Sequence, residues 1–231
     1  MDQPASPATP LRKRPSPSAL AYLTLCYVAT LYLAWYGAWL VERGLEPRLP
    51  WLTSSGGQFA YWTLMKLLLW VMPALVLIRI SGKNIREVIG IRRWRSIMVW
   101  GGGAGLLIGA SDILQRYFTG LPLLKVELSW ALLNVVVVAP AVEELTFRGA
   151  VLGNLVDRLG FPVANTLTAF LFVGTHLPGW YFQGRLAESL TKVAGGALTI
   201  FLLGWIFGYV NRRSGSTAAA MLAHALNNFF S

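Results

Sequence analysis

The run ALAYLTLCYVATLYLAWYGAWLV, Ala19 to Val41, contains no charged residue, and its reading decides the class of fold. A helix rises 1.5 Å per residue, so about 20 such residues cross the hydrocarbon of a bilayer. The whole chain agrees: of 231 residues 55% are hydrophobic and 13% charged, with a mean hydropathy of +0.53. A water-soluble domain carries about a quarter charged residues. Further apolar runs fall at about 59–79, 97–117, 129–147 or longer, 161–177, 193–211 and 215–230. We therefore expect an all-α, polytopic transmembrane helical bundle of about seven membrane helices around a polar cavity. Strands of a membrane barrel would instead need short alternating segments.

The net charge of +10 invites a nucleic-acid reading, but its distribution argues for lipid. With the N-terminus inside, the cytoplasmic segments hold Arg12, Lys13, Arg14, Lys83, Arg86, Arg92, Arg93, Arg95, Arg148, Arg158, Arg212 and Arg213. The opposite side holds Arg43, Arg48, Lys125, Arg185 and Lys192. That asymmetry is the positive-inside pattern of a multi-pass cell-membrane protein with a cytoplasmic N-terminus. Basic loops of this kind lie against anionic lipid, and no basic stripe interleaves with aromatics, so no nucleic-acid partner is expected.

The first 18 residues, MDQPASPATPLRKRPSPS, are rich in Pro and Ser and read as a disordered cytoplasmic lead. They do not read as a signal peptide, because the apolar run that follows is too long for an h-region. Residues 19–231 form a single domain. Segment 81–96, SGKNIREVIGIRRWRS, resembles an amphipathic connector lying on the headgroups. Trp51, Trp94, Trp100, Trp130 and Trp180 fall near expected span ends, where an aromatic belt belongs. Gly101–Gly103, Gly105, Gly195–Gly196 and the spaced pairs Gly149/Gly153 and Gly204/Gly208 read as close helix–helix packing. Cys26 stands alone, which leaves no disulfide framework.

Ionisable residues inside spans are costly and mark candidate sites. Here they are Lys66, Asp112, Glu143, Glu144, Arg148, His176 and His224. Lys66 reads as an interior or snorkelling side chain, and Asp112 as a helical ion pair with Arg116. Glu143 and Glu144 lie side by side in VVVVAPAVEELTFRGAVLG, residues 135–153. Neighbouring helical residues point about 100° apart, so the two acids face different ways. Glu144 and Arg148 are spaced i, i+4 with the acid first, the favourable order. Glu143 has no such partner on its own helix, and an unpaired carboxylate suits a general base.

Pro162 places a turn near Gly160–Pro162. Glu143 and His176 then stand at similar height on two antiparallel helices, roughly 23–25 Å from that turn. His224 and Asn228 are one turn apart on one face of a last helix that starts near Gly215. They lie nearer their own turn than Glu143 does, so the end of the fourth helix, with Asn154, Asp157 and Arg158, should project beyond the membrane.

These residues carry a resemblance. EELTFR, Glu143 to Arg148, is similar to the EExxxR motif of the CAAX-protease and bacteriocin-processing family of membrane proteins. FVGTH, Phe172 to His176, resembles its FxxxH motif, and HALNN contains its HxxxN pair, His224 and Asn228. Order and spacing agree over about residues 130–230. The resemblance implies an intramembrane glutamic endopeptidase with no cofactor and no metal. Glu143 would activate water with His176 beside it, and His224 and Asn228 would donate to the oxyanion. Glu144, Arg148 and Phe172 would support them. The partners implied are the lipid bilayer and a membrane-associated protein or peptide substrate: a prenylated protein, a bacteriocin leader or a C-terminal sorting signal. The short lead looks prokaryotic and favours the last two. Oligomeric state is not legible.

Two other readings fit the same residues. Glu143, His176 and His224 resemble a two-His, one-carboxylate zinc set, although no HExxH occurs. The polar cluster also suits a non-catalytic immunity, adaptor or transport protein, although no inverted repeat is visible.

Overall fold

A computed structural model describes residues 14–120, 122 and 127–231. About 85% of the described residues are helical, and none of them is in a strand. Residues 1–13 of the expected disordered lead lie outside them. Helix α1, Pro17–Leu45, begins within the last two residues of that expected segment. Ser16 caps it by accepting from the Ala19 N–H at 3.2 Å, and Pro17 occupies a first-turn position where its missing N–H costs nothing.

Helix α2 runs Ser55–Ile80 and is capped by Ser54, whose hydroxyl accepts from Gly57 N–H at 3.1 Å. A short α3, Ile85–Ile89, ends at Gly90 in the left-handed conformation (φ 68°) and leads into α4 at 94–119. Helix α5, Trp130–Leu159, is capped by Ser129, which accepts from Leu132 N–H at 3.2 Å. Gly160 (φ 71°) then turns the chain directly into α6, Phe161–Gly174, with Pro162 in its first turn, as the spacing predicted. Two short helices follow, α7 Leu177–Phe182 and α8 Leu186–Thr191. The chain closes with α9, Ala197–Ser214, and α10, Thr217–Phe230, joined at Gly215 (φ 64°).

By length and composition, four segments qualify as membrane crossings: Pro17–Leu45, Ser55–Ile80, Ile85–Thr119 and Trp130–Leu159. The other three expected spans are helices of 14, 18 and 14 residues, α6, α9 and α10. A 14-residue helix rises only about 21 Å, short of a bilayer's hydrocarbon thickness of about 30 Å.

Packing follows from small residues, because lipid supplies no hydrophobic drive between helices. Gly101, Gly105 and Gly109 form one stripe on α4, and a Cβ at any of them would strike Ala219, Leu226 or Phe230 of α10. A Cβ at Gly208 on α9 would likewise strike the Asn165 amide of α6. Asn165 donates from Nδ2 to the Trp205 carbonyl at 3.0 Å and ties α6 to α9. Residues 144–152 of α5 are buried among the other helices, and Phe147, Val151 and Leu155 lie in the main apolar core with Trp35, Trp70 and Phe172.

Three expectations need correction. Asn154 does not project into water: it is fully buried and donates to Thr24 Oγ1 of α1 at 3.2 Å. Trp180 is not in an interfacial belt but is buried beside His176, with ring centroids 5.8 Å apart. Asp112 forms no ion pair with Arg116, whose guanidinium instead donates to the Pro122 carbonyl at 3.4 Å. Trp51, Trp94 and Trp130 are exposed, as a belt requires.

The basic residues gather at one end of the bundle. Arg92, Arg93 and Arg95 stand at the start of α4, and Arg212 and Arg213 at the end of α9. Lys83 pairs with Asp157 at 3.5 Å and donates to the Gly153 carbonyl. Arg212 lies over the Phe161 ring at 5.4 Å.

Candidate active site

Pro140 sits inside α5, where it can make no i→i−4 bond, and wide π-turns at Asn134–Val138 and Leu145–Leu152 flank the short stretch Ala139–Glu144. That stretch presents Glu143 and Glu144 in different directions, as adjacent helical residues must.

Glu144 points into the protein and is fully buried. Its Oε1 accepts from Arg148 Nη1 at 3.0 Å, the pair expected from the i, i+4 spacing. The same oxygen lies 2.8 Å from Nδ1 of His224 on α10. Glu144 is therefore tied to a second helix as well as to its own. Arg148, also buried, donates from Nη2 to the Gly204 carbonyl of α9 at 2.7 Å, and its guanidinium lies 4.7 Å from the Phe172 ring centre. One buried ion pair thus joins α5, α6, α9 and α10. His224 is further fixed by stacking on Phe207, with centroids 4.8 Å apart and planes 20° apart.

Glu143 faces the other way, into a cavity of about 900 Å³. It does have a cationic partner, against expectation: Lys66 Nζ of α2 lies 3.6 Å from its Oε1. Both side chains are largely buried, at 12% and 9% exposure. Lys66 is therefore an interior residue and does not snorkel. No spacing rule within one helix finds a partner on another, so sequence reasoning left Glu143 unpaired. The signal available was a lone lysine in the middle of the second apolar run.

His176, Phe172, His224 and Asn228 line the same cavity as Glu143. His176 follows the end of α6, and its Nδ1–H donates to the Phe172 carbonyl at 3.1 Å. A carbonyl can only accept, so in the neutral ring Nε2 carries the free lone pair. Phe172 is buried and stands edge-on to both Phe147 (5.2 Å) and His176 (5.1 Å). Asn228 donates from Nδ2 to the Val135 carbonyl of α5 at 2.9 Å and accepts from Asn227 Nδ2 at 2.9 Å. One of its two amide hydrogens is therefore committed, and the other is left for a ligand. Asn227 also lines the cavity, a site residue the sequence reading passed over.

Thr119 at the end of α4, Lys192 and Gly195 before α9, and Ser231 after α10 also line this cavity. Its mouth is thus at the end of the bundle opposite the basic one. Among the described residues no three His, Cys, Asp or Glu side chains are grouped so as to hold a metal ion.

Residues 125–230 match the family model described as Rce1-like: Type II CAAX prenyl endopeptidase Rce1-like. Over this segment the chain is similar to the CAAX-protease family. The segment carries both glutamates, Arg148, Phe172, both histidines and Asn228, whereas Lys66 comes from outside it. No curated protein and no solved structure matches the chain significantly. The CAAX-protease family points to a hydrolase that acts on a membrane-associated protein, and the long apolar helices fit a multi-pass membrane protein.

Proposed function

We propose that the chain is an intramembrane endopeptidase in which Glu143 activates water for attack on a peptide carbonyl. The observation that carries this reading is the shared cavity: Glu143, His176, His224 and Asn228 arrive from three helices and line one space. Glu143 takes a proton as the water oxygen bonds to the carbonyl carbon, and His176 Nε2 accepts from the water's other O–H. The resulting oxyanion receives the free amide hydrogen of Asn228 and a hydrogen from His224. The contact of His224 Nδ1 with Glu144 at 2.8 Å holds the ring so that Nε2 is turned to that oxyanion. Collapse of the intermediate breaks the C–N bond, and the proton on Glu143 passes to the leaving amine nitrogen.

The Lys66 ammonium beside Glu143 favours this metal-free route, because a cation at 3.6 Å opposes binding of a dication there. We also place the basic end in the cytoplasm, by the positive-inside rule. The mouth then faces the other side, so substrate arrives from the outer leaflet. That favours a leader or C-terminal sorting signal of an exported polypeptide over a cytosolic prenylated protein.

The test is cleavage of a lipid-embedded peptide library by the purified protein, with Glu143→Ala as comparison and with or without a strong chelator. Cleavage that is lost in Glu143→Ala and survives chelation supports the reading. Loss on chelation with rescue by zinc replaces it with a metalloprotease. No cleavage by wild type across the library sinks it in favour of a binding role.

A further inference from the structure

Behind Glu143 and His176 lies a second, smaller cavity of about 280 Å³. It is lined by the indoles of Trp35 and Trp39 on α1, Trp70 on α2 and Trp180 on α7, together with Gln183 and Arg185. Lys66, Glu143 and His176 line both this pocket and the 900 Å³ cavity, so these three side chains form the partition between them. Any bond held against Glu143 and His176 therefore has one flank in the large cavity and the other at the tryptophan pocket.

The indoles are held rigidly. Trp35 stands edge-on to Trp70 at 5.2 Å, Trp39 packs on Trp62 at 4.4 Å, and Trp39 stacks on Phe182 at 5.8 Å. A Cβ at Gly179 would come within 3.3 Å of the Trp39 ring, so a glycine there lets this wall close up. Among the described residues the Nε1–H groups of Trp39 and Trp70 are buried without an acceptor, although Trp70 is only 2% exposed. By contrast Trp62 spends its Nε1–H on Gln58 Oε1 at 2.8 Å. Those two N–H groups are enclosed by the protein itself, so the pocket offers a bound side chain the indole faces and not the donors.

We infer that this pocket is a specificity subsite. It takes one bulky apolar side chain immediately beside the scissile bond, against the faces of the four indoles. The inference rests on the proteolytic reading of Glu143 and deepens it. Three of the four tryptophans come from outside residues 125–230, so most of the aromatic wall is supplied by the part of the chain that the family match does not cover.

The test uses full-length protein in lipid and a peptide panel that varies only the residues flanking the cut. Wild type should prefer Leu, Met or Phe over Ala at one flanking position by about tenfold or more, the discrimination an apolar pocket supplies. Trp39→Phe, which enlarges the pocket, should shift the preference toward larger side chains while melting near wild type. Gly179→Ala, which crowds the pocket, should shift the preference toward smaller residues. A panel cut without regard to flanking side chains overturns the subsite while leaving the protease standing. If wild type cuts nothing, fluorescence anisotropy of labelled panel peptides bound to the same proteins still reads the pocket. Equal binding of the Leu and Ala peptides then overturns it, and a Leu preference abolished by Gly179→Ala upholds it.

Discussion

Nδ1 of His224 stands 2.8 Å from the same Glu144 oxygen that accepts from Arg148 at 3.0 Å, although His224 and Glu144 are 80 residues apart in sequence. The two acids of the EELTFR stretch therefore have separate tasks. Glu144 is enclosed and neutralises a buried guanidinium, and Glu143 faces the cavity. Breaking a buried pair from one side costs about 3–5 kcal/mol, because the remaining charge is stranded. Glu144→Gln should consequently destabilise the protein by about that amount in reversible unfolding from detergent micelles. Glu143→Gln should abolish cleavage with a much smaller loss of stability. If Glu144→Gln unfolds with wild type, the buried triad is not holding the helices together.

Lys66 and Glu143 meet across α2 and α5 at 3.6 Å, so their contributions should not add. A double-mutant cycle with Lys66→Met and Glu143→Gln should give a coupling of about 0.5–3 kcal/mol in unfolding free energy, the range for residues in direct contact. Additive effects would show the pair to be absent in lipid. Lys66→Arg, which keeps the charge, should retain more activity than Lys66→Met.

The sequence carried the all-helical membrane class, because a charge-free run of span length has few other uses. It also carried the turn at Gly160–Pro162 and the Glu144–Arg148 pair, which depend on local rules of chain geometry. Lys66 beside Glu143 and His224 against Glu144 were hidden for a common reason. Each contact joins helices whose relative rotation is set by small-residue packing, such as Gly101, Gly105 and Gly109 against α10. Periodicity reports which residues share a face of one helix and says nothing about which face of another helix meets it. The Asp112–Arg116 expectation failed differently. An i, i+4 spacing permits a pair, but near a helix end Arg116 has a carbonyl at Pro122 within reach.

Asn228 has one amide hydrogen on the Val135 carbonyl and one left for the cavity, so its removal separates two effects. Asn228→Ala should lower kcat by about 10²–10³, as loss of a single oxyanion donor does, with KM little changed. Asn228→Asp, which has no N–H to donate, should be as impaired. A large rise in KM at constant kcat would instead assign Asn228 to ground-state binding.

Orientation follows from where the charges sit relative to the mouth. Arg92 begins α4 at the basic end, and Lys192 lines the cavity at the other. In a background with exposed Cys26 replaced by Ser, Arg92→Cys and Lys192→Cys should react with a membrane-impermeant maleimide from opposite sides. Right-side-out vesicles should label only Lys192→Cys, and inverted vesicles only Arg92→Cys. The reverse pattern would turn the mouth toward the cytoplasm and restore a cytosolic lipidated protein as the better substrate. It would also mean that the basic loops do not set the topology, since three like charges at Arg92, Arg93 and Arg95 would then have crossed the bilayer during insertion.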